Sequence, residues 1–242
     1  LERHSPQPLH LDWYTGGGPL ARGVAYGTCS ERHLLNVRAA SMGMFTGKPG
    51  GFLDYAKARV EGVSGQSFLP RRLYGDYLET EAQRALARAR AQGHDLRVLP
   101  ALVDALVPVH DGVTVVHGEE SSRADVAVLA IGSLPPQPLP GIAPAALAGG
   151  RYVTDPWPFL NAAKDNPRPL DVAVIGLGLT AVDVLLELSA RWPQARFTTL
   201  SHHGLPPEPH LATASAPADD SGALVEAMLD APSAREWLKL LR

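Results

Sequence analysis

Hydrophobic positions along this chain change their period several times, and each change predicts an element. Residues 1–4 read as the end of a helix that SPQP breaks, and LHLDW (9–13) alternates as a short strand. TGGGPLARG follows as a glycine-rich loop, and residues 23–45 show no clear period, as a binding segment often does. PGGFLDYAKARVEG predicts a helix that starts near Gly51. The clearest helix is FLPRRLYGDYLETEAQRALARARAQG. Its Tyr74, Leu78, Ala82, Ala85 and Ala89 fall on one stripe, and Gly93 stands where a C-cap belongs.

LRVLP, VDALVPV and GVTVVHG then read as strands, the last after a turn at Asp111 and Gly112. ADVAVLAIG (124–132) is nearly all apolar, the pattern of a strand covered on both faces, and the four prolines of LPPQPLPG stop it. A connector with one short helix leads to DVAVIGLGLTAVDVLLEL (171–188), where four apolar residues run into glycine-x-glycine and a helix. The strand ARFTTLS, a loop from Leu205, and a closing helix over residues 223–242 complete the order. No internal repeat is obvious, and the order of elements predicts an α/β organisation.

The strand–turn–helix at 171–188 carries the most chemistry. Gly176 permits a tight turn, Gly178 lets a phosphate approach the backbone with no Cβ in the way, and Ala181 lets helix and strand pack closely. Thr180 sits in the first turn, where helix N–H groups point at a bound pyrophosphate. A ribose 2′-hydroxyl is usually held by an acidic residue about 20 positions on. Between Glu187 and Glu208 there is none, and the next strand ends instead in Ser201, His202 and His203. Serine and imidazole donate to a 2′-phosphate, which leans the expectation toward NADP; the plainer alternative is two solvated histidines.

Composition narrows the classes. A chain of 242 residues buries a real core, as one large domain or two modest ones. With 19% charged residues and a net charge of −3, it has no electrostatic bias toward nucleic acid or anionic membrane. Aromatic content of 6% argues against a base-stacking surface. No apolar run approaches the ~20 residues of a membrane span, and no secretory signal opens the sequence. Cys29 is a lone cysteine, so a reducing cytoplasm is the expected compartment. His33, His110, His117 and His210 stand without paired carboxylates or metal-ligand spacing, and no G-x-S-x-G elbow occurs. No catalytic acid, base or metal site is expected from these residues.

GVAYGT (23–28), HLLNVRAASM (33–42), FLPRRLYGDYL (68–78), ADVAVLAIGSLPP (124–136), TDPWP (154–158) and VIGLGLTAVDV (174–184) occur together in this order. In this the chain resembles a bacterial family of FAD/NAD(P)-binding proteins related to flavin reductases and N-hydroxylating monooxygenases, over about residues 8–205. The resemblance implies a Rossmann-like fold with two dinucleotide sites, in three layers. Residues 1–150 would belong to the FAD-binding part and 151–242 to the NAD(P)-binding part.

FAD would lie along Gly23, Ala25, Tyr26, Asn36 and Val37, with Ala130, Ile131 and Gly132 closing the strand where the chain crosses the flavin. Arg22 and Arg38 would meet phosphate or, as is commoner for arginine, form surface ion pairs. Arg71 and Arg72 would be a solvated face or steer an anionic substrate. LHLDW matches the family's second FAD strand, which makes Asp12 the candidate for the FAD ribose. The first strand and its GxGxxG turn would precede Leu1, and the family continues past residue 242. The leading functional expectation is an FAD-dependent NAD(P)H oxidoreductase with a small-molecule substrate or electron acceptor. A non-catalytic nucleotide-binding subunit and a hydroxylating monooxygenase are the alternatives.

Overall fold

The computed structural model describes residues 7–209. Those through Pro207 belong to one compact unit of mixed α/β structure. The helices expected over residues 1–4 and 223–242 lie outside the described residues.

Strand β1 (His10–Tyr14) pairs in parallel with β2 (Asp95–Leu99), and the chain between them forms α1 (Gly23–Tyr26), α2 (Gly51–Lys57) and α3 (Arg71–Ala91). Parallel strands need such a crossover. Leu86 and Ala89 of α3 pack on Leu96, with Leu11, Trp13 and Val98 around them. The predicted stripe on α3 is met at Tyr74, Ala82 and Ala89, while Leu78 and Ala85 are half-buried and Tyr77 and Leu86 are buried. The aromatic rings bias the face: Tyr74 and Tyr77 close on Phe52 of α2 at centroid distances of 4.9 and 5.7 Å. Gln92 is the C-cap of α3, and Gly93 follows it at φ +89°.

A three-stranded antiparallel sheet comes next: β3 (Ala105–Val109), β4 (Gly112–His117) and β5 (Glu120–Ala124). The turn forms one residue earlier than expected, at His110 and Asp111, because Gly112 already pairs with Val109 as the first residue of β4. β5 has no apolar alternation in its sequence, ESSRA, and forms by pairing across the turn at Gly118.

One expectation is corrected here. ADVAVLAIG is not a covered strand: residues 125–132 have no regular structure, and Val128 is 85% and Ile131 68% exposed. A strand exists only through its ladder partners, and among the described residues no strand pairs with this run. Gly132 also turns to φ +65°, outside the strand region. Ala130, Ile131 and Gly132 therefore do not close a strand in this structure.

The connector holds two helices, α4 (Pro144–Ala148) and α5 (Pro156–Ala162), where one was expected. TDPWP starts α5: the Asp155 carboxylate accepts from the Trp157 N–H at 3.1 Å, with proline in the first turn. Then β6 (Asp171–Ile175), α6 (Leu179–Arg191) and β7 (Arg196–Leu200) form the predicted βαβ unit, with β6 and β7 parallel. Its core joins Leu160, Val184 and Leu188 to Trp157, Val174 and Phe197.

Candidate functional site

The register of β6 on β7 builds the candidate site. Ile175 pairs with Leu200, and the Gly176 N–H donates to the Leu200 carbonyl at 2.7 Å. The glycine turn and the Ser201–His203 segment therefore leave the same end of two neighbouring parallel strands. In α/β folds, ligands bind at that end. The Ser201 hydroxyl accepts from the Gly204 N–H at 2.9 Å, which leaves its own proton to donate, and both histidines are exposed with rings 5.6 Å apart.

The two glycines differ in what the fold asks of them. Gly176 sits at φ +105°, a conformation that side chains rarely adopt. Gly178, the N-cap of α6, has φ −81° and ψ −172°, which any residue adopts. A Cβ on either glycine would meet nothing within 4 Å. Backbone geometry thus explains Gly176 but not Gly178. The start of α6 also has no side-chain cap and no acid in its first turn. Its leading N–H groups lack the partner a capping residue would give, as suits a helix end that receives an anion. Ala181 is 7% exposed, in the close-packing role expected of it, and Thr180 is exposed.

On the other half, the segment 33–40 runs against 65–71 through the Leu35 N–H to Leu69 carbonyl bond (2.8 Å) and the Ala39 N–H to Ser67 carbonyl bond (2.9 Å). This presents Asn36 and Val37 exposed. Asn36 needs no internal partner and remains available to a ligand edge. Arg22 has taken its other course: its guanidinium meets Asp76 and Glu79 of α3, each at 2.6 Å, and those carboxylates neutralise it. Arg38 donates to the Gln66 carbonyl at 3.1 Å and lies over the Phe68 ring. Gly23 opens α1 at φ +60°, Ala25 is exposed, and Tyr26 meets the Tyr74 ring edge-on.

Asp12 sits in the middle of β1, directly opposite Arg97, which binds both of its carboxylate oxygens at 2.6 Å. Those bonds hold the carboxyl below the usual aspartate range. A cleft of about 310 Å³ lined by Glu31, Arg59, Arg72 and Asp76 lies by the start of α3 and away from the glycine turn. Arg72 pairs with exposed Glu31, and among the described residues no group of three His, Cys, Asp or Glu is placed to hold a metal.

A buried polar cluster was missed from the sequence. Asp183 and Glu187, one turn apart on α6, are 5% and 2% exposed, and His33 is 1% exposed. Arg71 Nη2 lies 3.1 Å from Asp183 Oδ2, so Arg71 is neither a solvated face nor free for substrate. Glu187 accepts from Ser30 Oγ at 2.5 Å and Arg191 Nε at 2.6 Å, with Arg32 at 3.6 Å. His33 Nδ1 meets Thr28 Oγ1 at 2.7 Å. Burial holds the imidazole below its ordinary pKa, against the pull of Asp183 and Glu187. Burial likewise raises the Asp183 carboxyl despite Arg71. For Glu187 burial acts upward too, but the bonds from Ser30 and Arg191 outweigh it and hold the carboxyl down. The sequence signal existed: two acids four apart beside Val184 and Leu188, on the apolar face of α6.

Among the described residues no helix is long and apolar enough to cross a membrane. At 31% identity over 182 residues, the chain is similar to the L-ornithine N(5)-monooxygenase of Emericella nidulans; the match covers 70% of this chain and 34% of that protein. The chain therefore spans about a third of the length of this relative. The family model described as FAD-NAD(P)-binding matches residues 1–134. The glycine turn lies beyond that match, so the parallel pair β1–β2, α3 and the antiparallel sheet carry it. On that match, over more than half of the sequence, the chain belongs to the FAD-NAD(P)-binding family.

Proposed function

We propose that this chain serves an FAD-dependent oxidation of NAD(P)H, with the nicotinamide dinucleotide held at Gly176–Ala181. The observation that carries the reading is Gly178, a glycine the backbone does not require, at an uncapped helix end. The dinucleotide would supply a hydride and the flavin would accept it, before a small-molecule acceptor takes the electrons. This chain's own work is to bind and orient. Helix N–H groups of α6 hold the pyrophosphate, and Ser201, His202 and His203 take the 2′-phosphate of NADP in preference to NAD. Asn36, Val37 and the backbone of 23–26 line the flavin side. Arg22 has no role in phosphate binding in this reading, because Asp76 and Glu79 already neutralise it. The reaction belongs in the cytoplasm, with neither nucleic acid nor membrane as partner.

Calorimetry with NADPH and NADH tests the dinucleotide site. NADPH binding tighter than NADH, and lost in Gly178→Val, is the expected result; no heat with either dinucleotide refutes it. A yellow preparation whose flavin absorbance bleaches on adding NADPH supports the oxidoreductase, whereas a colourless protein that still binds NADPH supports a nucleotide-binding module. The ornithine N(5)-monooxygenase relative favours one second reading, hydroxylation of an amine by the reduced flavin and oxygen. Hydroxylated product, rather than peroxide alone, would decide for it.

A further inference from the structure

The buried cluster on α6 has no part in the site described so far, yet it joins the two halves of that site. Asp183 lies in the second turn of α6, five residues after Gly178, roughly 7 Å along the helix axis. Its partner Arg71 is the first residue of α3. The Arg71 Nε donates to the Leu34 carbonyl at 2.9 Å and its backbone N–H donates to the His33 carbonyl at 2.8 Å. A single guanidinium thus links the helix that carries the glycine turn to the segment that presents Asn36. One turn further on, Glu187 repeats the tie through Ser30. Trp157 closes the cluster, its ring 5.6 Å from the His33 ring and 6.0 Å from the Arg71 guanidinium.

Packing alone does not ask for this chemistry. Apolar side chains at positions 183 and 187 would bury the same area without desolvating two carboxylates, and such replacements are often as stable. An apolar contact tolerates sliding by part of a turn, whereas Asp183 Oδ2, buried with no hydrogen-bond partner and only the Arg71 charge 3.1 Å away to offset it, loses that charge if α6 moves. We propose that Asp183 is a positioning residue: through Arg71 it latches α6, and with it the glycine turn, in one register on the 28–36 segment. The proposal deepens the dinucleotide reading and rests on it for its binding consequence. The latch itself is a statement about α6 alone.

Two readouts on the full chain test it. The first is the distance distribution between spin labels on exposed Cys29, in the 28–33 loop, and on exposed Ser189→Cys, on α6. The second is the affinity for NADPH, read beside the melting temperature. The labelled parent chain is expected to give one narrow distance. Asp183→Asn should broaden it and weaken NADPH at least tenfold, whereas Gly178→Val should abolish NADPH binding with the distance unchanged. Asp183→Leu combined with Arg71→Leu removes both charges and should recover the melting temperature without recovering the narrow distance or the affinity. A double variant that recovers all three shows a purely stabilising pair and overturns the latch. An unchanged distance and affinity in Asp183→Asn overturns it as well. Should Asp183→Asn fail to fold, Arg71→Lys keeps the charge, loses the bond to Leu34, and is held to the same two readouts. If the parent chain takes up no NADPH, the dinucleotide reading fails, and the distance distribution alone decides the latch.

Discussion

The face of α6 that carries Asp183 and Glu187 and the run from Val126 to Ile131 break the usual distribution of polarity in opposite directions. On α6, two carboxylates are all but removed from water. In the run, Val126 and Val128 are 76% and 85% exposed. The difference lies in partners. Glu187 meets Ser30 and Arg191, whose hydrogen bonds offset its cost of leaving water, while Asp183 has the Arg71 charge beside it, which offsets only part of that cost. The valines meet no neighbouring strand among the described residues, and hydrophobicity alone does not build a ladder. Burial here is decided by what stands opposite, more than by residue type.

The largest break in that contrast is expected from Asp183→Ala, which leaves the half-buried Arg71 guanidinium without a carboxylate. Losing one partner of a buried pair costs about 3–5 kcal/mol. A urea titration that shows a loss under about 1 kcal/mol would mean that water or another group screens Arg71. Next comes the glycine turn. Gly176→Val forces a β-branched side chain to φ +105° and should lose about 1–3 kcal/mol. Gly178→Ala, with ordinary φ and open space, should lose less than about 1 kcal/mol. Equal losses at the two glycines would erase the distinction drawn between them.

His33 sharpens the contrast through pH. Burial holds its pKa below the ordinary value, so between the two the unfolded chain takes up a proton that the folded chain refuses. Stability from this group is complete above about pH 6.5 and falls as pH drops toward the depressed folded value. Urea midpoints at about pH 7.5 and about pH 5.5 should differ more for the parent chain than for His33→Gln; equal differences refute the assignment. The smallest effect belongs to the exposed run. Val126→Thr and Val128→Thr should each change stability by no more than about 0.5 kcal/mol. A larger loss in the isolated chain would show that these side chains are covered after all.

Much of the architecture was legible because it is local. The stripe from Tyr74 to Ala89, the hairpin turn just before Gly112, and the strand–glycine–helix at 171–188 each follow from a period or a turn residue within one element. The misses are non-local. β5 has no pattern of its own and exists through β4. ADVAVLAIG has the pattern and lacks the neighbour. Asp155 caps α5, a role that the sequence leaves open because the prolines beside it suit a loop as well as a helix start. The Asp183–Arg71 pair joins residues far apart in sequence, and no spacing rule connects them. Of the candidate site, the glycine turn and Ser201–His203 come together through the β6–β7 register, while Arg22 and Asp12 are committed to ion pairs that composition could not assign.

Gly75, in the middle of α3, has a consequence for how this chain tolerates change. A Cβ there would run into the carbonyl oxygen of Tyr26 and crowd the Arg22 guanidinium. Two backbones therefore touch where α1 crosses the long helix, and no side chain stands between them to yield. Even a single methyl group at this position would lift α1 off its seat. The spacing of the 23–26 stretch from the helix below it is thus set by bare main chain, a gauge with no adjustment.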